Sequence, residues 1–305
     1  DDLLAELRRE TDAPRSGEKL CRGTLISRQQ YLPDVEEWGY ADARLAPPDA
    51  QAVYRHVLES LRAGGVDFLV GGAYAFTRYT GIERSTKDFD VFVRYTDRVR
   101  ALDVLADAGF DTEETFPHWL AKAFWDDDFV DVIYSSGNGV APVDDEWFAH
   151  APEADVLGVR AKICPAEEIL WSKAFVMERE RYDGADVIHL MRCGAETLDW
   201  DRLLDRFGTR WRVLFSYVIL FGFVYPGERT RIPRRVIEDL LARLGPELDA
   251  DDASAAKVCQ GTVVSRQQFL VDVQQWGYAD ARLRPRGNMS AEEIAYWTEA
   301  IGKIK

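Results

Sequence analysis

Three acidic residues follow a pair of glycines in an order that suits metal chemistry. Gly71 and Gly72 end an apolar run, Asp88 and Asp90 lie in the segment DFDVFVR, and Asp131 lies in FVDVIY. Residues two apart on a strand point to the same face, so Asp88 and Asp90 are predicted to hold their carboxylates side by side. Like charges at that distance are unfavourable unless a cation is bound. Three carboxylates meeting on one sheet would therefore suit Mg²⁺ or Mn²⁺.

The glycine pair predicts a sharp turn between a strand and the short helix that follows it. Glycine lets the backbone approach a ligand closely, and a helix N-terminus offers unpaired N–H groups to phosphate oxygens. A triphosphate would then lie between these donors and the carboxylate-held metal. Each motif alone is more often structural, as a turn, a solvated strand edge or a satisfied polar residue. Their order and spacing together point to a site.

The elements that must position these residues alternate between strands and helices, and helical periods follow. The predicted class is α/β, or α+β, with a small mixed sheet flanked by helices and then a helical domain. The sequence predicts helices over 51–63, 73–79 and 96–108, strands over 66–70 and 88–94, a hairpin over 119–135 with a loop at 135–139 beside the cleft, and helices from 165 to about 244.

The two ends of the chain carry a repeated sequence. Residues 21–45 (copy 1) and 259–283 (copy 2) are identical at 18 of 25 aligned positions. A serine followed by Arg-Gln-Gln and apolar residues at helical spacing predicts a capped amphipathic helix. Two interpretations are open: the copies pack on the core or on each other, or they form a docking or dimerisation element. The predicted domains are an N-terminal arm (1–50), the α/β domain (51–164), the helical domain (165–250) and a C-terminal arm (251–305).

The composition argues against several classes of function. With 38 Lys and Arg against 53 Asp and Glu, the formal net charge is −15, which opposes extended binding to a nucleic-acid backbone. The four cysteines form no CxxC pair, so neither a zinc site nor a disulfide scaffold is expected. The most apolar stretch, 213–225, is too short to cross a bilayer and predicts a buried helix. With no signal peptide at the first residues, we expect a cytoplasmic protein without membrane contact.

These motifs resemble the nucleotidyltransferase-fold superfamily. Its signature is Gly-Gly or Gly-Ser after an apolar residue, a short helix, Asp-x-Asp on a strand and a third acid on a later strand. The segment VGGAYAFTRYTGIERSTKDFDVFV matches this signature, with Asp131 as the third acid. The series Arg84-x-Thr86-x-Asp88-x-Asp90 looks like the minimal, toxin–antitoxin-associated branch of the superfamily.

A later helix strengthens the resemblance to that branch. There the family carries a Lys, an Arg and paired Asp residues, which are matched in order by Lys173, Arg179, Asp183 and Asp186. The sequence departs from the pattern at Tyr182, where the family usually has a basic residue. The resemblance covers about residues 55–205 and leaves both repeated arms outside it.

The resemblance implies transfer of a nucleoside monophosphate from a nucleoside triphosphate to an acceptor hydroxyl, with release of pyrophosphate. It implies that Asp88, Asp90 and Asp131 bind the divalent ions, and that Asp131 also acts as general base or orients the acceptor. The implied nucleotide-binding set is Gly71, Gly72, Arg84, Thr86, Lys87 and Lys173. For Arg84 and Lys87, balancing the local negative charge is an equal alternative. The acceptor side is assigned to Lys122, Arg179, Asp183 and Asp186, and for Lys122 a pairing with the Asp131 strand is the alternative.

Two classes of function are therefore expected. The first is a metal-dependent nucleotidyltransferase with a small-molecule, RNA or protein acceptor. The second is a non-catalytic protein of the same fold, such as an antitoxin or assembly subunit, whose repeated arms bind a protein partner or a second copy of the chain. The presence of all three acids favours the enzyme.

Overall fold

The computed structural model describes residues 48–83, 88–126, 128–248, 257–283, 290 and 292. Copy 1 of the repeat lies outside these ranges, as do the predicted nucleotide-binding residues Arg84, Thr86 and Lys87. The predictions made for them stay predictions.

A seven-stranded mixed sheet forms the centre of the fold, in the order β3-β4-β5-β2-β1-β7-β6. β2 runs parallel to β5 and β1 runs parallel to β7, whereas the other neighbours are antiparallel. The strands are β1 (Leu69–Val70), β2 (Phe89–Phe92), β3 (Asp111–Phe116), β4 (Leu120–Trp125), β5 (Asp128–Ile133), β6 (Glu153–Val156) and β7 (Val159–Ile163).

Helices cover the sheet and continue into the second half of the chain. They are α1 (Pro48–Ala63), α2 (Gly72–Thr80), α3 (Arg98–Asp107), α4 (Asp145–Ala149), α5 (Ala166–Lys173), α6 (Gly184–Gly194), α7 (Trp200–Phe207), α8 (Trp211–Val224) and α9 (Arg234–Leu248). Tyr54 of α1 stacks on Phe89 of β2 with ring centroids 4.7 Å apart. The helix that begins at Gly72, α2, packs against both α5 and α6. The helical half is thereby joined to the sheet beside the glycine pair.

The predicted fold class is confirmed, and three details of the prediction are corrected. The first strand is limited to Leu69–Val70, and the helix predicted from Thr96 begins at Arg98 after a 3-10 turn. β3, β6 and β7 were not predicted. β3 has the sequence DTEETF, which shows little apolar alternation. It lies at the edge of the sheet, next to β4. Its residues could therefore be polar without a cost in burial.

The apolar segment 213–225 lies largely in α8, as predicted. One face of α8 is buried, and the helix packs against α6, α7 and α9. Within the described residues, one helical stretch, Trp200–Val224, is long and apolar enough to span a membrane by length and composition, and 39% of its apolar window is buried.

Copy 2 of the repeat forms a small unit. β8 (Val258–Cys259) pairs in parallel with β9 (Ala279–Asp280), and two short helices, α10 (Gly261–Val264) and α11 (Leu270–Gln274), lie between them. The prediction of one capped amphipathic helix is wrong for this copy. Ser265 ends α10 in an extended conformation, and its hydroxyl is held by a distant acidic side chain described below.

Candidate active site

Asp90 and Asp131 lie side by side. Asp90 on β2 is in register with Asp131 on the parallel strand β5, and paired residues of adjacent strands share a face of the sheet. Phe89 and Val91 are fully buried and point to the opposite face because side chains alternate along a strand. The apolar alternation of β2 therefore fixes the direction of the Asp90 carboxylate.

The surroundings of Asp90 disfavour its charge. Burial raises the pKa of Asp90 to about 7, with further contributions from Asp131 and Asp88, and Lys173 and Arg181 only partly oppose them. A carboxyl group with this pKa is partly protonated near neutral pH. The negative potential that causes the shift is the kind of environment that a bound cation would relieve.

Lys122 contacts Asp131 from the other neighbouring strand. The two residues are in register across the antiparallel pair β4–β5, and Lys122 Nζ lies 2.5 Å from Asp131 Oδ1. Burial raises the pKa of Asp131, and the bond to Lys122 opposes the shift without cancelling it. Lys122 therefore pairs with the Asp131 strand, which was the alternative to its role on the acceptor side. It does not line the cavity described below.

Asp88 stands at the edge of this arrangement. It is exposed and precedes the first residue of β2, yet its charge raises the pKa of both Asp90 and Asp131. Among the described residues, no group of three or more His, Cys, Asp or Glu side chains has the geometry of a metal site. The structure thus brings two of the three acids together, and a shared site for all three stays a prediction.

The glycine pair allows the turn to pass directly over Asp90. Gly72 has φ +55°, and a Cβ added there would lie 1.8 Å from Asp90 Oδ2. A Cβ on Gly71 would lie 2.2 Å from the ring of Phe92. The N–H of Gly71 donates to the main-chain carbonyl of Asp90 at 2.9 Å. This N–H therefore closes the turn, and the role expected of it as a phosphate donor is not available in this arrangement.

Lys173 lies between two aspartates at the start of α6. Its Nζ is 3.0 Å from Asp183 Oδ2 and 2.8 Å from Asp186 Oδ2. Burial alone would lower the pKa of Lys173, but Asp186 and Asp183 outweigh burial and the pKa is raised. The ammonium group therefore stays charged, and the two aspartates position it.

Arg181 is the basic residue that the sequence interpretation missed. Its Nε and Nη2 donate to the two carboxylate oxygens of Asp183 at 3.0 and 3.1 Å, while its side chain is 70% exposed. Burial would raise the pKa of Asp183, but Lys173 and Arg181 lower it. Arg179, the arginine named from the resemblance, is exposed and does not line the cavity. The family usually has its basic residue at the position of Tyr182, and here the basic residue, Arg181, stands one position earlier.

A cavity of about 430 Å³ lies beside Asp90 and Lys173, and Asp131 and Asp88 are not among its lining residues. Its polar side is formed by Gly72, Asp90, Lys173, Arg181 and Asp183. Five aromatic residues contribute an apolar wall: Phe92, Phe116, Trp119, Trp147 and Phe175. Copy 2 of the repeat supplies further wall through Val263, Val264 and Arg266. No feature of the sequence placed the repeat beside the acidic residues.

Comparisons with known proteins give distant structural matches and no sequence-family match. A scan of protein-family models gives no match, and a search of curated proteins gives none. Among solved structures, the antibiotic-resistance factor ANT(2'')-Ia is 15% identical at a TM-score of 0.40, covering 55% of this chain and 95% of its own. The lincosamide adenylyltransferase LnuA is 13% identical at a TM-score of 0.34, covering 48% and 98%. An antigenic nucleotidyltransferase-like protein from Paracoccidioides brasiliensis is 16% identical at 0.31, covering 67% and 92%.

All three structures are less than 25% identical to this chain and have TM-scores below 0.5, so they carry no argument about its function. The function is inferred below from the side chains of this chain.

Proposed function

We propose that this protein is a nucleotidyltransferase that moves a nucleoside monophosphate from a nucleoside triphosphate to a hydroxyl group of an acceptor. The observation that carries the proposal is the pairing of Asp90 with Asp131 beneath the Gly72 turn. Lys173 and Arg181 line the same cavity as Asp90, so acidic and basic groups meet where a metal–triphosphate complex needs both.

The acidic pair fits a hard divalent cation. Carboxylate oxygens are the ligands that Mg²⁺ and Mn²⁺ prefer, and the negative potential at Asp90 raises its pKa to about 7. In this proposal Asp90 and Asp131 hold the ion and Asp88 adds a further carboxylate. When bound, the ion supplies charge stabilisation to the triphosphate and the attacking oxygen.

The side chains of the chain have separate roles in the transfer. The acceptor oxygen bonds to the α-phosphorus, the bond from that phosphorus to the bridging oxygen of the β-phosphate breaks, and pyrophosphate leaves. The carboxylate of Asp131 takes the proton of the acceptor hydroxyl, for which a raised pKa is suitable. Lys173 and Arg181 bind the triphosphate oxygens as charged donors.

The remaining predicted residues support these steps. Asp183 and Asp186 position Lys173, as their ion pairs indicate. Arg84, Thr86 and Lys87 complete the proposed nucleotide site from the segment that precedes Asp88. The aromatic residues that line the cavity receive the acceptor.

Transfer of label tests this function. The protein is incubated with Mg²⁺, a cell extract and the nucleoside triphosphates radiolabelled in the α-phosphate. We expect label on an acceptor with the wild type and with Asp103→Ala, which changes an exposed acid on α3. We expect none with Asp88→Ala or Asp90→Ala. Equal labelling by wild type and by the Asp88 and Asp90 variants, or none with any protein, would contradict catalysis.

A non-catalytic function is the second candidate, and two observations favour it. Lys122 pairs with Asp131 and Lys173 pairs with Asp183 and Asp186, so both lysines already have acidic partners within the chain. Copy 2 also forms part of the cavity wall, as expected of a partner-binding arm. Calorimetry with nucleotide and Mg²⁺ discriminates the two, because the second candidate predicts no binding.

A further inference from the structure

Copy 2 is attached to the cavity rim through a small set of hydrogen bonds. The carboxylate of Glu178 accepts from Ser265 Oγ at 3.0 Å, from the main-chain N–H of Arg266 at 3.0 Å and from Arg266 Nε at 2.6 Å. The N–H of Met177 donates to the carbonyl of Val264 at 2.9 Å. Glu178 is only 13% exposed, so copy 2 largely covers it.

Two amide side chains complete the attachment. Gln268 Nε2 donates to the carbonyl of Met177 at 3.0 Å. Asn138 Nδ2, from the loop beside the cleft, donates to the carbonyl of Val263 at 3.1 Å. The rim groups Asn138, Met177 and Glu178, here called the rim site, therefore recognise a short segment of the repeat.

Copy 1 carries every group that copy 2 uses to bind the rim site. Ser27, Arg28 and Gln30 stand at the positions of Ser265, Arg266 and Gln268. Val263 and Val264 contribute their main-chain carbonyls, so their replacement by Leu25 and Ile26 keeps both acceptors.

The residues that hold copy 2 together are also present in copy 1. Asp280 and Arg282 form a buried ion pair, with side chains 3% and 1% exposed, and Asp42 and Arg44 are their counterparts. Copy 1 thus carries both side chains of this ion pair as well as the donors to the rim site.

We propose that the rim site is a docking surface for either repeat copy, and that copy 1 of the same chain competes with copy 2 for it. The linker permits this exchange. The 17 residues between Gln30 and Pro48 can extend to about 60 Å, which exceeds the width of a domain of this size. A tethered segment also competes at an effective concentration on the order of millimolar.

The exchange changes the cavity. Copy 2 lines it with Val263 and Val264, whereas copy 1 presents Leu25 and Ile26 at the aligned positions, each larger by one methylene. The cavity beside Asp90 is therefore narrower when copy 1 is docked. This inference concerns binding between parts of the chain and holds whether or not the protein is an enzyme.

Photo-crosslinking in the full-length chain tests the competition. p-Benzoylphenylalanine replaces Glu180, an exposed residue that lines the cavity, and crosslinked peptides are identified by mass spectrometry. The wild-type sequence is expected to crosslink mainly to residues 262–268. With Ser265→Ala, Arg266→Ala and Gln268→Ala combined, crosslinks to residues 24–30 should increase several-fold. The matched variant with Ser27→Ala, Arg28→Ala and Gln30→Ala should keep the wild-type pattern.

A peptide experiment avoids dependence on the folding of the variants. A synthetic peptide of residues 21–45, added at about 1 mM to the chain with unaltered repeats, should take crosslinks from copy 2, and the same peptide with the three alanines should not. Failure of the copy 1 crosslinks to increase, or of the peptide to compete, would overturn the proposal. Mixing isotopically heavy and light chains identifies the occupant: copy 1 crosslinks between heavy and light chains would overturn docking within one chain.

Discussion

Asp90 and Asp131 occupy paired positions on two parallel strands, and Lys122 binds Asp131 from the strand on its other side. Asp90 has a pKa of about 7, whereas the ion pair with Lys122 opposes the rise in the pKa of Asp131. This difference gives two adjacent acids different environments, which is the basis for assigning them different roles.

The charge of Asp90 is expected to be essential for transfer. Asp90→Asn keeps the shape of the side chain and removes the anionic oxygen, so we expect kcat/KM to fall about a thousandfold, or about 4 kcal/mol of transition-state stabilisation. Steady-state kinetics with the identified acceptor measures it. Asp103→Asn, on the exposed face of α3, is the control and should keep the wild-type value. Activity of Asp90→Asn within threefold of wild type would refute the role of Asp90.

Gly72 offers a prediction about the turn. Gly72→Ala places a Cβ on the Asp90 carboxylate and adopts φ +55°, so we expect a loss of stability of about 1–3 kcal/mol from strain together with loss of transfer. Gly81→Ala is a matched control, because Gly81 has φ +72° with no atom within 4 Å of the added Cβ. Chemical denaturation and the labelling assay measure both variants.

The comparison of the two glycine variants isolates the contact with Asp90. Gly81→Ala should lose stability from backbone strain and keep its transfer activity. If Gly72→Ala and Gly81→Ala retain equal activity, the close approach of the turn to Asp90 has no functional role.

Lys122 is expected to set the pH range of activity. It opposes the raised pKa of Asp131, so Lys122→Met should raise that pKa further and move the acidic limb of the pH–rate profile to higher pH. Lys122→Arg keeps the positive charge and should stay close to wild type. An unchanged acidic limb in Lys122→Met would show that Asp131 does not titrate in the rate-limiting step.

The ion pairs of Asp183 predict how stability depends on pH. The pKa of Asp183 is lowered in the folded state, so its stabilising contribution is present above the unfolded pKa of about 4 and is lost as pH falls through the folded pKa. We expect the free energy of unfolding, from urea titrations, to fall more steeply below about pH 4 in wild type than in Asp183→Asn. Parallel curves would contradict the shift.

Much of the acidic half of the site could be predicted from the sequence. The two-residue period of a strand placed Asp90 on a polar face opposite Phe89 and Val91, and Asp131 interrupted a second apolar strand. These are local patterns, and β-sheet geometry converts them directly into positions. Asp88 was predicted to join them, but it lies before β2 begins, and strand ends are poorly marked by short patterns.

The remaining features depend on contacts between distant parts of the chain. Arg181 was missed because the family pattern expects the basic residue at position 182. The long side chain of Arg181 still reaches both carboxylate oxygens of Asp183. The position of copy 2 depends on Glu178, which is 88 residues from Arg266 in sequence. No periodicity relates two such residues, so the repeated arm could be recognised as a unit but not placed at the cavity.

Binding of a metal–nucleotide complex tests the central claim most directly. A nucleoside triphosphate with a non-hydrolysable α,β-bridge is titrated into the protein by calorimetry, with and without Mg²⁺. We predict binding by the wild type that requires Mg²⁺ and is weakened at least about tenfold in Asp90→Asn, or about 1.4 kcal/mol. No binding in the presence of Mg²⁺, or equal affinity in wild type and Asp90→Asn, would contradict the assignment of Asp90 and Asp131 as the metal-binding pair.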